Sequence, residues 1–442
     1  MVASSWLSRL LSSSHSLQSF SVQISTRSLS SLSLWTLFLF SPLALADCEC
    51  GYLSTVGDGV GNSQVDTSDP SIWRQTPSDS SNLALFTDLL ETDFTRVYSS
   101  GNRYDVSKDT DWVPQAFNLT KERARGEWGE MFDVRNVFSY PPNKNRQSQP
   151  GEDEMKWGPK HWNSDDKATG LKLVVRSDVV DGMVPVAEVA TRRLDFLYGS
   201  FRASMKISDI PGTCAAFFWY FNDTQEIDME FLTREFNREN KTFPINLVLQ
   251  SRESALAGHD ASGTGESNFI HTNLPFDPTL DFHEYRIDYL PTRVIFYADG
   301  KPLATMAASR GAAVPTSQGH LILSHWSNGN PLWSGGPPKE DSALTVKYVK
   351  AYFNSSSETR QDDWRARCQD PKAKGAVCRI PDVVPGDKTA VDWYFKFQGN
   401  MTNNQTMSSE PEEDAAVRLG TAGRLAWIAS VLAGFVIWVN VL

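Results

Sequence analysis

The chain has 442 residues, with 42 Lys+Arg against 53 Asp+Glu and a formal net charge of −11. Hydrophobic residues make up 40% and aromatics 11%, which supplies a sizeable core and excludes wholesale disorder. The acidic balance excludes the basic face of a nucleic-acid binder and suits a neutral substrate better than a polyanion. Fourteen Trp, twelve Tyr and 24 Phe supply flat apolar rings of the kind that stack on sugars.

Residues 1–46 contain no Asp or Glu, only Arg9 and Arg27 as cations, and many Ser. The apolar run 32–46 closes on Ala44-Leu45-Ala46, the layout of a secretory signal cut after Ala46. A mitochondrial transit peptide, also Ser-rich and acid-poor, is the alternative. Sequons at Asn118, Asn222, Asn240, Asn354, Asn400 and Asn404 agree with the secretory reading.

Residues 47–360 read as one β domain. Polar, charged 141–170 is expected to be a long surface loop. Phe201, Ala203, Met205 and Ile207 alternate with Arg202, Ser204 and Lys206, which predicts a half-buried strand. The apolar run 215–221 predicts a second strand, closed by a turn at Asn222-Asp223-Thr224. Segments 285–289 and 293–301 form a hairpin-like pair, and 344–353 a late strand. There is no internal repeat and no long amphipathic helix. Short strands without crossover helices predict an all-β sandwich of two antiparallel sheets.

Residues 361–413, rich in Pro, Asp and Asn, read as a Cys-containing extension and glycosylated stalk, too short for a second core. In 414–442, small residues Asp414-Ala415-Ala416 precede a short spacer and the uncharged apolar tail 425–442. This is the layout of a GPI-attachment signal, with an uncleaved membrane anchor and plain secretion as alternatives.

Cys48 and Cys50 lie at one edge of the folded part, Cys368 and Cys378 at the other. The ends of a β-sandwich often lie close, which favours bridges from the first pair to the second; a local Cys368–Cys378 loop is the rival. Cys214 reads as a buried small hydrophobe, with a catalytic thiol as the alternative. No His/Cys cluster has metal-ligand spacing, and no metal or cofactor is expected.

The sharpest feature is Glu226-Ile227-Asp228-Met229-Glu230-Phe231. On a strand the three acids share one face and Ile227, Met229 and Phe231 the other. Three acids in a row repel and are poor strand formers, so a purely solvated face is the bland alternative. The apolar residues flanking the strand count against it. Crowded carboxyls cannot all ionise alike, so one proton stays available near neutral pH. One acid and one carboxylate are what glycoside hydrolysis needs. Residues i and i+4 stand about 13 Å apart on a flat strand, so Glu226 and Glu230 converge only on a curved sheet.

The intact Glu-x-Asp-x-Glu motif resembles that of family-16 glycoside hydrolases. The segments 198–206, 282–289 and 296–300 are similar to that family too, and 326–336 (Trp-Ser-Asn-Gly-Asn-Pro-Leu-Trp-Ser-Gly-Gly) to its fungal members. The resemblance covers about 190–353, with a weaker extension back to about residue 50. It implies a concanavalin A-like β-jelly roll with the acids on its concave sheet, on an unbulged strand. It also implies Glu226 as nucleophile, Glu230 as general acid/base and Asp228 as the residue that orients and tunes the nucleophile. The implied substrates are β-1,3- or mixed β-1,3/1,4-glucans.

Trp219, Trp326 and Trp333 are candidates to stack on sugar rings, and His283 and His325 to hydrogen-bond them; a packed core role is the alternative for Trp219 and both histidines. The leading expectation is a retaining β-glucanase at the cell surface, anchored to the membrane through its C-terminus and monomeric. A wall transglycosylase joining glucan or chitin chains shares the same site. A lectin-like binding protein is the alternative of another class.

Overall fold

A computed structural model describes residues 47–57, 82–96, 106, 109–140, 168–258, 261–384, 386–401 and 405. The expected signal segment, Asn404, most of the expected loop 141–170 and the apolar tail lie outside the described residues. Among the described residues twenty strands follow one another. They are β1 (Gly51–Thr55), β2 (Leu83–Phe86), β3 (Asp88–Asp93), β4 (Trp112–Pro114), β5 (Phe117–Leu119), β6 (Gly129–Phe132) and β7 (Val137–Tyr140). Then come β8 (Gly170–Val175), β9 (Met183–Thr191), β10 (Phe196–Lys206), β11 (Cys214–Asn222), β12 (Gln225–Leu232), β13 (Pro244–Gln250) and β14 (Phe269–Asn273). The last are β15 (His283–Leu290), β16 (Arg293–Ala298), β17 (Lys301–Ala307), β18 (His320–Trp326), β19 (Ser342–Ser355) and β20 (Val377–Arg379). The longest described helix is Glu358–Arg367.

Two large sheets form the expected sandwich. One runs β14-β13-β12-β11-β18-β9-β6-β5, with β4 also on β9; the other runs β17-β16-β15-β10-β19-β8-β7, with β3 also on β19. Pairing within them is antiparallel except for β6 on β9. Alternation puts Ala215, Phe217, Trp219, Ile227, Met229, Phe231, Leu321 and Leu323 of the first sheet against Phe201, Ala203, Met205, Tyr285, Ile287, Leu344 and Val346 of the second. That shared layer is the core.

Much of the second sheet's outer face is covered. β1, β2 and β20 make a small third sheet, and Tyr52, Phe86, Ile380 and Phe395 pack on Leu290, Ile295, Tyr297 and Tyr352. The alternating residues of β10 are therefore buried on both sides: Ser200, Arg202 and Ser204 are as hidden as Phe201 and Ala203. The strand is not half-buried as expected, because chain segments more than a hundred residues away cover its polar face. Arg202 donates to the Pro381 carbonyl at 2.9 Å and to Ser54 Oγ at 3.1 Å. Arg286 pairs with Asp288 at 2.6 Å, and Lys350 donates to the carbonyls of Ala390, Val391 and Trp393. Such pairing is what a buried cation requires.

Residues 358–401 thus fold back over the sandwich. Arg360, on the helix Glu358–Arg367, reaches Asp88 at 2.7 Å. The bridges are Cys48–Cys378 and Cys50–Cys368, joining the two edges as expected. Each closes a loop of more than 300 residues, so each strongly restricts the unfolded chain. Replacing Cys50 and Cys368 by Ser should lower Tm by several degrees, as a loss of about 2–5 kcal/mol implies; scanning calorimetry of the double variant checks this.

Candidate active site

Glu226, Asp228 and Glu230 project from β12 on the first sheet's outward face, while Ile227, Met229 and Phe231 are fully buried on the other. The register to β11 runs Ala216 to Glu230, Phe218 to Asp228 and Tyr220 to Glu226 without a shift between them. On the other side Asn246, Val248 and Gln250 face the same three acids. β12 is therefore regular across the motif.

Burial raises all three carboxyls. Glu226 is pushed up to about 8 and Glu230 to about 7, and Asp228 rises well above its ordinary value through burial and then the charges of Glu226 and Glu230. A hydrogen bond between Asp228 and Glu226 lowers Glu226 and raises Asp228. Glu230 Oε1 accepts from the Trp333 indole N–H at 3.3 Å and from the Cys214 thiol at 3.8 Å. Arg125 adds a favourable charge. The protons leave in steps that belong to the trio, which keeps acid and carboxylate forms together near neutral pH.

Cross-strand pairing carries the polar character outward from β12. His271, Asn246, Glu230, Ala216, Ser324 and Glu188 are successive partners across β14, β13, β12, β11, β18 and β9. Glu188 stands three strand spacings from Glu230, roughly 14 Å; burial raises it to about 7 against a hydrogen bond from Ser324. Glu130 on β6, raised by burial to about 8, accepts from Asn328 Nδ2 at 3.1 Å. Asn328 reaches it only because Gly126 has no side chain: a Cβ there would lie 2.2 Å from the Asn328 carbonyl oxygen. Among the described residues no group of His, Cys, Asp and Glu is placed to hold a metal ion.

The five aromatic and histidine candidates divide. Trp333 touches Glu230 and lies beside Phe269, their ring centroids 6.3 Å apart. Trp326 is half-buried at the end of β18, opposite Cys214 and packed by Phe132 and Val184. Trp219 does not reach the outward face: it sits in the core, its indole N–H donating to the Phe196 carbonyl at 3.1 Å. His325 is also a core residue, with contacts to Leu173 O and Thr213 Oγ1 at 2.9 Å, and burial lowers it to about 4. His283 belongs to the other sheet, paired with Asp299 at 2.7 Å and stacked on Phe276, where it lines a cavity of 930 Å³ that contains none of the three acids. Glu188, Glu130, Asn246 and His271 escape a reading of the sequence alone. Only Glu188 left a signal, as the sole acid in the apolar run Val184–Ala190.

A two-sheet β-sandwich with three coupled carboxyls on its open face is the apparatus of the glycoside-cleaving class of enzyme. Residues 151–350 match the family model described as Glycosyl hydrolases family 16. It is 28% identical over 218 residues to xyloglucan endotransglucosylase protein 7 of Diospyros kaki, covering 47% of this chain and 70% of that protein. It is 28% identical over 167 residues to a beta-glucanase of Acetivibrio thermocellus, covering 36% of this chain and 43% of that protein. Among solved structures, the laminarinase catalytic domain from Thermotoga maritima is 17% identical with a TM-score of 0.42, covering 60% of this chain and 98% of that one.

The raised carboxyls have a consequence for stability. Glu226 titrates near 8 folded and near its ordinary 4.5 unfolded, so its contribution favours the fold at low pH and declines as pH rises between those values. Glu226→Gln, which does not titrate, should raise Tm by a few degrees at pH 8 and leave it nearly unchanged at pH 4; thermal unfolding at the two pH values checks this.

Proposed function

We propose that the protein is a retaining glycosidase acting on a β-1,3- or mixed β-1,3/1,4-glucan at the outward face of its first sheet. The observation that carries the reading is the different treatment of the three acids: Glu226 shares a hydrogen bond with Asp228 that favours its ionised form, while Glu230 is held by the neutral donors Trp333 and Cys214. Glu226 attacks the anomeric carbon as Glu230 gives its proton to the departing glycosidic oxygen, leaving a glycosyl ester on Glu226. Glu230, now a carboxylate, takes a proton from the incoming acceptor hydroxyl, which attacks the same carbon and frees Glu226. Asp228 keeps the nucleophile oriented throughout.

The polar row from His271 to Glu188 supports a polymer lying across the strands, with Glu188 and Trp326 meeting sugars away from the scissile bond. The likeness to a xyloglucan endotransglucosylase favours a second reading, in which a sugar hydroxyl instead of water takes the glycosyl group. The two disulfides support passage through an oxidising compartment, and with it a cell-surface location and an anchor at the C-terminal tail.

Incubation of the protein with a β-1,3-glucan and labelled gluco- and chito-oligosaccharides tests this. New reducing ends that fall at least about a thousandfold in Glu226→Gln are expected. Longer labelled chains would move it to the transglycosylase reading. Silence across a panel of polysaccharides with binding retained would leave a carbohydrate-binding protein and overturn the proposal.

A further inference from the structure

Glu230 is the one acid of the trio gripped from outside its strand. Both donors that reach it converge on the same oxygen, Oε1: the Trp333 indole N–H at 3.3 Å and the fully buried Cys214 thiol at 3.8 Å. Indole has no acceptor to offer in return, so the Trp333 bond can run only towards the carboxyl. The thiol's other acceptor in reach, the Ala215 carbonyl, is at 3.9 Å.

The two donors come from independent elements. Cys214 opens β11 and shares its outward face with Ala216, the cross-strand partner of Glu230. Trp333 sits on the loop between β18 and β19, whose shape is fixed by its own bonds. Ser327 Oγ donates to the Gly335 carbonyl at 3.1 Å, Ser334 Oγ to Asn328 Oδ1 at 3.0 Å, and Arg234 Nε to the Trp333 carbonyl.

We propose that Trp333 and Cys214 are positioning residues for Glu230: by occupying Oε1 they reserve Oε2 for the proton that is passed to and from the substrate oxygen. The inference rests on the reading of Glu230 as general acid/base. A proton on Oε1 would face two donors, so the neutral acid carries it on Oε2. Trp333 can still offer its ring face to a sugar, because its N–H edge makes this contact.

Both bonds also favour the ionised carboxyl and offset part of its burial. The other charged or titratable groups around Glu230 are Glu226 and Asp228 on β12, His271 behind Asn246 on β14, Glu130 on β6, and Arg125 after the helix Lys121–Ala124.

The test is a 13C-carboxyl NMR titration of the full protein, with the Glu230 resonance assigned by its loss in Glu230→Gln. It needs no catalytic turnover, so it can fail or succeed independently of the function proposed above. Trp333→Phe keeps the ring and removes the donor, and the Glu230 midpoint should rise by about one pH unit. Cys214→Ala should raise it by less, and Cys214→Ser, which restores a donor, should return it to the wild-type value or below. If the enzyme turns over a glucan, the alkaline limb of kcat/KM should move with the midpoint. An unmoved midpoint in both Trp333→Phe and Cys214→Ala overturns the inference. Movement in Trp333→Phe alone would assign the hold to the indole and remove Cys214 from it.

Discussion

Ile227, Met229 and Phe231 are what hold Glu226, Asp228 and Glu230 together. Left alone, three carboxyls in a row on one strand would repel and seek water. Burying three large apolar side chains on the opposite face contributes about 1.5–3 kcal/mol each, which fixes the strand's parity and its depth in the sheet. Once parity is fixed, the acids have no choice of face. Each pKa unit gained by a buried carboxyl then costs about 1.4 kcal/mol once the pH exceeds its folded pKa. The apolar face thus sets where the acids lie, their burial works against the fold as pH rises, and the acidic face is left with carboxyls that hold protons near neutral pH.

The two outward faces of the sandwich show what this arrangement means. On the second sheet, Arg202, Arg286 and Lys350 are covered by the chain's terminal segments and satisfied by carbonyls and carboxylates. Asp88 lies there too; burial alone would raise it, but Arg193 and Arg360 hold it at about 2. Those groups are fastened by their partners, and Asp88 is held far below neutral pH. On the first sheet Glu230 is held by neutral donors and Glu226 by its hydrogen bond with Asp228, and the two glutamates are pushed up to about 7 and about 8. A paired charge stabilises a shape; a carboxyl left with a movable proton can do chemistry. The disulfides tie down the segments that cover the second sheet's face, and the acids lie on the first sheet's.

Much of this was legible in the sequence. The alternation of Glu226 to Phe231 gives the strand, its two faces and the acids' common side without any structural knowledge, and the spacing of short apolar runs gives the sandwich. The edge-to-edge cysteine bridges follow from where chain ends fall in such a fold. What could not be read is register and sheet membership. The run Ala215–Phe221 is apolar throughout, so nothing in it says that Trp219 pairs beside Ile227 and points inward; the same is true of His325 among Leu321 and Leu323. His283 is polar and near an aromatic, but only the topology puts it on the opposite sheet. The meeting of Glu230 with Cys214 and Trp333 joins positions 16 and 103 residues away, and no local pattern encodes it.

The account stands on Glu226 becoming covalently glycosylated, and this can be seen directly. The protein would be incubated with a 2-fluoro-substituted β-glucan oligosaccharide carrying a good leaving group, then digested and analysed by mass spectrometry. The account predicts a glycosyl ester on the peptide carrying Glu226, absent in Glu226→Gln, with released product that retains the substrate's anomeric configuration. A sugar found on another residue, or product of inverted configuration with no adduct, would contradict it.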